Sequence, residues 1–448
     1  MAMFTDDPVR PEDYRRFERP IPQWYADAKL GIFVHWGPYS VPAWAEPIGE
    51  LGTIEMGYWF QHNPYAEWYY NTIRVPGSPA AEHQREEFDG APYDDFIDAW
   101  QPDDFDPAEF MALVKSTGAR YFIPTTKHHD GVTLWDAPGT GDRNTVRRGP
   151  KRDLVKDFAD AARAEDIRFG VYYSGGLDWH YSDLPPIVGD ELISTRPTDL
   201  GYATYAYKQV EDLIKRYSPD VLWGDIEWPD AGKPLGPVSM ANLFDKFYAA
   251  APDGVSNDRW GTTHWDFRTS EYQNGLSVEG TGGWENCRGI GYSFGHNRLE
   301  DESHMLSGPD AVKHFVDVVS RGGNLLLNVG LTARGTVPDL QRKTLEHLGA
   351  WNDVNGSAVF GSTTLEASIA APQDEPWVRW TRTGETANAF VDATGEVTLT
   401  GVSDQVDAAS ARLADGSPIA AVRDGGTVRL TLPEPELAGP TLVSFDLT

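Results

Sequence analysis

The chain reads as an α/β protein: a (β/α)8-like, TIM-type barrel over residues 1–355, followed by an antiparallel β-sandwich over residues 356–448. Three observations predict this. Short apolar runs alternate with helical stretches through the first three quarters of the sequence, the pattern of βα units around a parallel sheet. Nearly every run ends on a polar or aromatic group, where barrel enzymes carry their chemistry. From about Thr363 the strands become short and alternating, and Thr-Gly or Asp-Gly turns separate them.

Taken in order, the first run is Gly31–Trp36 (GIFVHW). A helical segment at Pro107–Thr117 leads into Arg120–Lys127 (RYFIPTTK), and another at Asp153–Glu165 into Arg168–Ser174 (RFGVYYS). Tyr205–Tyr217 precedes Asp220–Asp225, and Ala311–Ser320 precedes Gly323–Val329 (GNLLLNV). Continuous apolar runs of this length fit strands buried on both faces. Val255–Trp260 and His264–Tyr272 are weaker strand candidates. No Gly-x-Gly-x-x-Gly turn follows the first run, so an open dinucleotide-binding sheet fits less well.

After a helical segment at Asp339–Trp351, strands are expected at Trp377–Thr383, Ala387–Asp392, Glu396–Gly401, Ala411–Leu413, Thr427–Leu432 and Thr441–Asp446. Gly384, Gly395, Gly416 and Gly425 fall at the corners, where a positive φ costs glycine little.

At 448 residues the chain is long enough for a large and a small domain. A formal net charge of −30 argues against nucleic acid or an anionic membrane as partner. No run of 18 apolar residues is present, and Met1–Pro8 has neither the basic nor the apolar part of a secretory signal. Cys287, the single cysteine, rules out an intrachain disulfide and a Cys-rich zinc site. The default expectation is a cytoplasmic protein without cofactor or metal, with room for a homo-oligomer.

The densest chemistry lies in Val221–Trp228 (VLWGDIEW), where an apolar run delivers Asp225 between Trp223 and Trp228. Indole faces suit the C–H face of a sugar, and a carboxylate there suits a glycosidase nucleophile. A helix N-cap is the plain alternative for such an Asp. Retention needs a second carboxyl about 5–5.5 Å away. Glu271, after the aromatic run His264–Phe267, is the first choice, with Glu227, Glu67 and Glu285 as rivals. His128 and His129 invite a metal reading, but neighbours on a strand point to opposite faces. Sugar hydroxyls are the better partners for them.

These residues stand inside longer strings: Trp24-Tyr25 with Ala28–Gly37, Ala66–Tyr69, Lys127–Gly131, Gly170–Ser174, Leu222–Asp225, Asp258–Trp260, Thr269–Tyr272 and Gly322–Asn328. Together they resemble glycoside hydrolase family 29, the retaining α-L-fucosidases, from Trp24 to about Gly361. The resemblance implies a barrel followed by a β-sandwich and an enzyme acting on fucosylated oligosaccharides or glycoconjugates. It implies Asp225 as nucleophile and Glu271 as acid/base. It also implies that His35, Glu67, Trp68, His128, His129, Tyr172, Trp223 and Arg259 line the fucose pocket. An apolar wall for the sugar's methyl would draw on Phe33, Tyr172 and Phe294, and the leaving-group side on Trp44 and Trp59. Two rivals carry other chemistry: a metal-dependent hydrolase using His128, His129 and Asp225, and a non-catalytic fucose lectin.

Overall fold

The computed structural model describes residues 10–192, 194–272 and 283–448; the leader reading at Met1–Pro8 falls outside them. Eight parallel strands follow one another around a curled sheet: β1 Leu30–His35, β2 Tyr121–Lys127, β3 Arg168–Ser174, β4 Val221–Asp225, β5 Val255–Ser256, β6 Arg268–Glu271, β7 Trp284–Gly289 and β8 Asn324–Gly330. Hydrogen-bonded order is β5-β4-β3-β2-β1-β8-β7-β6, so the ends of the chain's barrel half close on each other through β1 and β8. Among the described residues, β5 and β6 share no ladder, and the barrel has a seam there.

Alternation sorts the strand residues into two buried layers. Phe33, Tyr121, Ile123, Tyr172, Trp223, Cys287 and Leu326 pack inside the barrel. Ile32, Val34, Phe122, Val171, Leu222 and Leu325 pack outward beneath the helices. Gly31 is required by the inner layer, because a Cβ there would lie 2.3 Å from the Tyr121 ring.

The helices are set by capping and by one apolar face. Asp106 accepts from the Ala108 and Glu109 N–H groups at the head of Pro107–Ser116. Asp153 caps Leu154–Ala164, whose buried Leu154, Val155, Phe158, Ala159 and Ala162 repeat at helical spacing. The helix expected at Tyr205–Tyr217 starts earlier, at Leu200, because Asp199 caps it there. The helix Met240–Ala250, capped by Ser239, and strand β7 were not expected from sequence. In β7 the polar residues Glu285, Asn286 and Arg288 interrupt the apolar signal, yet all are buried.

The rest of the chain forms β9 Thr363–Thr364, β10 Gln373–Asp374, β11 Trp377–Thr383, β12 Thr386–Asp392, β13 Gly395–Thr400, β14 Val406–Leu413, β15 Ala421–Asp424, β16 Thr427–Leu432 and β17 Thr441–Leu447. One antiparallel sheet runs β10-β11-β12-β17-β14 with β9 on β11; the other runs β13-β16-β15. Val378, Val391 and Phe445 of the first share a core with Val397, Val428 and Leu430 of the second, which makes a β-sandwich. The sandwich rests on the barrel through Phe390 against Trp351 and the Lys313–Asp392 ion pair at 2.7 Å. Among the described residues no helix is long and apolar enough to cross a membrane.

Candidate active site

The C-terminal strand ends meet around one pocket, and the ten residues that the family resemblance implies for catalysis and sugar binding line it. His35 closes β1, Asp225 closes β4 and Glu271 closes β6. Tyr172 and Trp223 are register partners on β3 and β4, so their side chains stand together on the inner face. Tyr173 points the other way and donates its hydroxyl to Gln209. His128 and His129 follow β2 directly, Arg259 follows β5, and Glu67 and Trp68 come from the short turn Ala66–Trp68.

One guanidinium joins the two carboxyls. Arg259 Nη1 lies 2.8 Å from Glu271 Oε2 and 3.2 Å from Asp225 Oδ1. Its Nε donates to Thr269 Oγ1 at 3.0 Å, and its charge sits 4.7 Å from the Trp223 ring centroid. Tyr172 donates to Asp225 Oδ2 at 2.8 Å, and Tyr65 donates to Glu271 Oε1 at 2.9 Å. Burial raises the Glu271 carboxyl above the usual range; Arg259 opposes that shift and the negative charge of Asp225 adds to it. Burial likewise lifts Glu67 to about 7, although its Oε2 accepts from the Gly295 N–H at 2.8 Å.

Three imidazoles complete the wall. His35 Nδ1 meets Asn328 Oδ1 at 2.7 Å, and His129 Nδ1 meets Ser174 Oγ at 2.7 Å. His128 lies nearly parallel to the Tyr172 ring, and its buried Nδ1 has no hydrogen-bond partner among the described residues. Burial lowers His35 to about 3 and pushes both other rings well below the usual histidine range. All three are therefore neutral, suited to hydroxyl groups. Phe33 and Phe294 supply apolar wall beside them.

Several expectations change. The strand-alternation argument against a shared site for His128 and His129 fails, because β2 ends at Lys127 and the chain turns there. Both rings then face one pocket, with centroids 4.0 Å apart. Glu227 is diverted: Ile226 and Glu227 adopt φ of +54° and +70°, rare for side-chain-bearing residues and unusual for a β-branched one. Its carboxylate pairs with Arg196 at 3.1 Å and with Lys233. Glu285 lies inside the barrel, accepting from Tyr25, Tyr121 and Trp223 Nε1. Trp44 stacks on His83 and does not line the pocket, whereas Trp59 does. Tyr65 and Leu192 line it too, and nothing local in the sequence marked them.

A barrel mouth that gathers two hydrogen-bonded carboxyls, three neutral imidazoles and an indole floor is the architecture of a glycoside hydrolase. The α-L-fucosidase family model matches residues 4–357. The chain is 30% identical over 356 residues to an α-L-fucosidase of Dictyostelium discoideum, covering 77% of this chain and 72% of that protein. A solved α-L-fucosidase structure superposes with a TM-score of 0.90 at 43% identity, covering 96% of this chain and 98% of that one. A Thermotoga maritima α-L-fucosynthase in complex with α-L-Fuc-(1-2)-β-L-Fuc-N3 superposes with a TM-score of 0.88 at 41% identity over 100% of both chains. The chain belongs to the α-L-fucosidase family of glycoside hydrolases.

Proposed function

We propose that this chain is an exo-acting α-L-fucosidase that releases terminal α-L-fucose from oligosaccharides or glycoconjugates with retention of configuration. Asp225 Oδ attacks the anomeric carbon and forms a fucosyl ester while the bond to the leaving oxygen breaks. Glu271 gives that oxygen its proton. Glu271, now a carboxylate, then takes a proton from water, whose oxygen attacks the anomeric carbon and frees Asp225. An acceptor alcohol in place of water gives transfucosylation. Residues 1–355, ending with the helix Asp339–Asn355, act as the catalytic unit, and residues 356–448 as its β-sandwich companion.

The observation that carries this reading is the pairing of the two carboxyls through Arg259. A guanidinium nitrogen shared by both carboxyls supports the close approach that retaining enzymes use, and the raised Glu271 suits a group that must arrive with a proton. Similarity to a fucosynthase holding a fucosyl azide supports both the sugar and the transfer reaction. The test is proton NMR of purified protein turning over a nitrophenyl α-L-fucoside. The α-anomer of fucose is expected first; β-fucose first, or no release at all, overturns the proposal.

A further inference from the structure

His35 at the end of β1 and His129 on the turn after β2 both reach the pocket, and each has its Nδ1 set against a group whose own hydrogen is already committed. The Asn328 amide Nδ2 donates to the Phe294 carbonyl at 2.7 Å. A carbonyl oxygen can only accept, so the amide must turn its nitrogen that way. Its oxygen is thereby left facing His35 Nδ1 at 2.7 Å. Ser174 repeats the logic with a hydroxyl. Its single hydrogen goes to the Leu177 carbonyl at 2.8 Å, so the oxygen 2.7 Å from His129 Nδ1 accepts. An acceptor opposite a ring nitrogen calls for an N–H on that nitrogen.

Both rings are neutral, since burial holds each well below the usual histidine range. With the one proton on Nδ1, each Nε2 is a bare lone pair. For His129 this matters directly, because Nε2 lies 3.7 Å from Asp225 Oδ2. A proton on that nitrogen would form a charge-assisted bond to the carboxylate and draw density from an attacking oxygen. It would also remove an acceptor that a sugar hydroxyl can use.

We propose that Ser174 and Asn328 are positioning residues that lock His129 and His35 as Nδ1–H tautomers, so that both rings accept hydrogens from substrate hydroxyls and His129 withholds its proton from Asp225. The tautomers follow from the hydrogen bonding of two buried, neutral rings; only the identity of the hydroxyl donor rests on the fucosidase reading. Two side chains of different chemistry, one at the end of β3 and one on β8, impose the same state. Neither touches the reacting atoms.

The test is nitrogen NMR of the full chain labelled with 15N-histidine, which separates protonated from bare ring nitrogens. His129→Gln and His35→Gln assign the signals. Expected in the unaltered protein are a protonated Nδ1 and a bare Nε2 on both rings. Ser174→Ala should move the His129 proton to Nε2 and lower kcat about tenfold or more, the scale of one hydrogen bond to a charged group. Ser174→Thr, which keeps a hydroxyl, should restore tautomer and rate. A protonated His129 Nε2 in the unaltered protein overturns the proposal, as does a Ser174→Ala spectrum with the tautomer unmoved. If Ser174→Ala does not fold, Asn328→Asp decides: its carboxylate still accepts, so loss of the His35 Nδ1–H there counts against the lock. The expected tautomers in a protein inert toward fucosides support this inference while sinking the proposed reaction.

Discussion

Tyr172 donates its phenolic hydrogen to Asp225 Oδ2 across 2.8 Å, while the other carboxylate oxygen is met by Arg259 at 3.2 Å. Among the described residues, each carboxylate oxygen thus meets a protein donor. The proposed nucleophile is aimed by two rigid partners, one a strand neighbour and one reaching across the barrel mouth.

Asp225→Gly should lower kcat by about three orders of magnitude or more, since it removes the carboxylate on which the proposed ester forms. Azide should restore part of the lost turnover by occupying the vacated space and attacking the anomeric carbon from the same side. The product to look for is β-fucosyl azide. Undiminished turnover in the glycine variant would falsify the nucleophile assignment.

Glu271→Ala should act unevenly. Substrates with poor leaving groups need the proton and should lose far more kcat/KM than activated aryl fucosides, which depart unaided. Steady-state rates across a series of aryl fucosides check this through the slope against leaving-group acidity. Equal losses along the series would assign Glu271 a binding role instead.

Tyr65→Phe should move the alkaline limb of the kcat/KM profile to higher pH. The first step needs Glu271 protonated, so activity falls as pH rises through its raised value. The Tyr65 hydroxyl donates to the carboxylate and so favours ionisation. Without it the proton is held more firmly and the active plateau extends. A limb that shifts toward acid would show the hydroxyl acting otherwise.

Asp178→Ala should cost about 3–5 kcal/mol of stability, the usual result of stranding a buried charge. Lys127 pairs with Asp178 at 3.1 Å, and both side chains are almost wholly enclosed. Lys127 also immediately precedes the His128-His129 turn, and the Trp179 backbone N–H donates to the His129 carbonyl at 2.8 Å. Urea unfolding should therefore show the loss. An unchanged midpoint would mean that the lysine finds water or another partner.

Much of this is legible in the sequence. Apolar strands ending in Trp-Gly-Asp or Val-His-Trp carry their own address, because alternation and the barrel rule together send those ends to one mouth. Local strings could not reveal Tyr65, whose value lies in reaching Glu271 from more than two hundred residues away. Nor could they reveal β7, where inward Glu285 accepts from Tyr25, Tyr121 and Trp223. The histidine pair misled for a different reason: the period-two rule holds only while the strand lasts, and β2 stops one residue too soon. Glu227 was separable from Asp225 only through two left-handed residues that sequence gives no cause to expect.

The seam between β5 and β6 ties durability to turnover. Ser256 still accepts the Asp266 N–H at 2.8 Å low in the gap, but above it side chains replace the ladder. Asp258 takes the Thr269 N–H at 3.1 Å and hydroxyl at 2.7 Å, and Arg259 clasps Thr269 and Glu271. Arg259, the group proposed to aim both carboxyls, is thus also one of the stitches that shut the cylinder. Hydrogen exchange at the Thr269 amide should quicken in any variant that loosens Arg259, so a damaged catalyst would also be a fraying one.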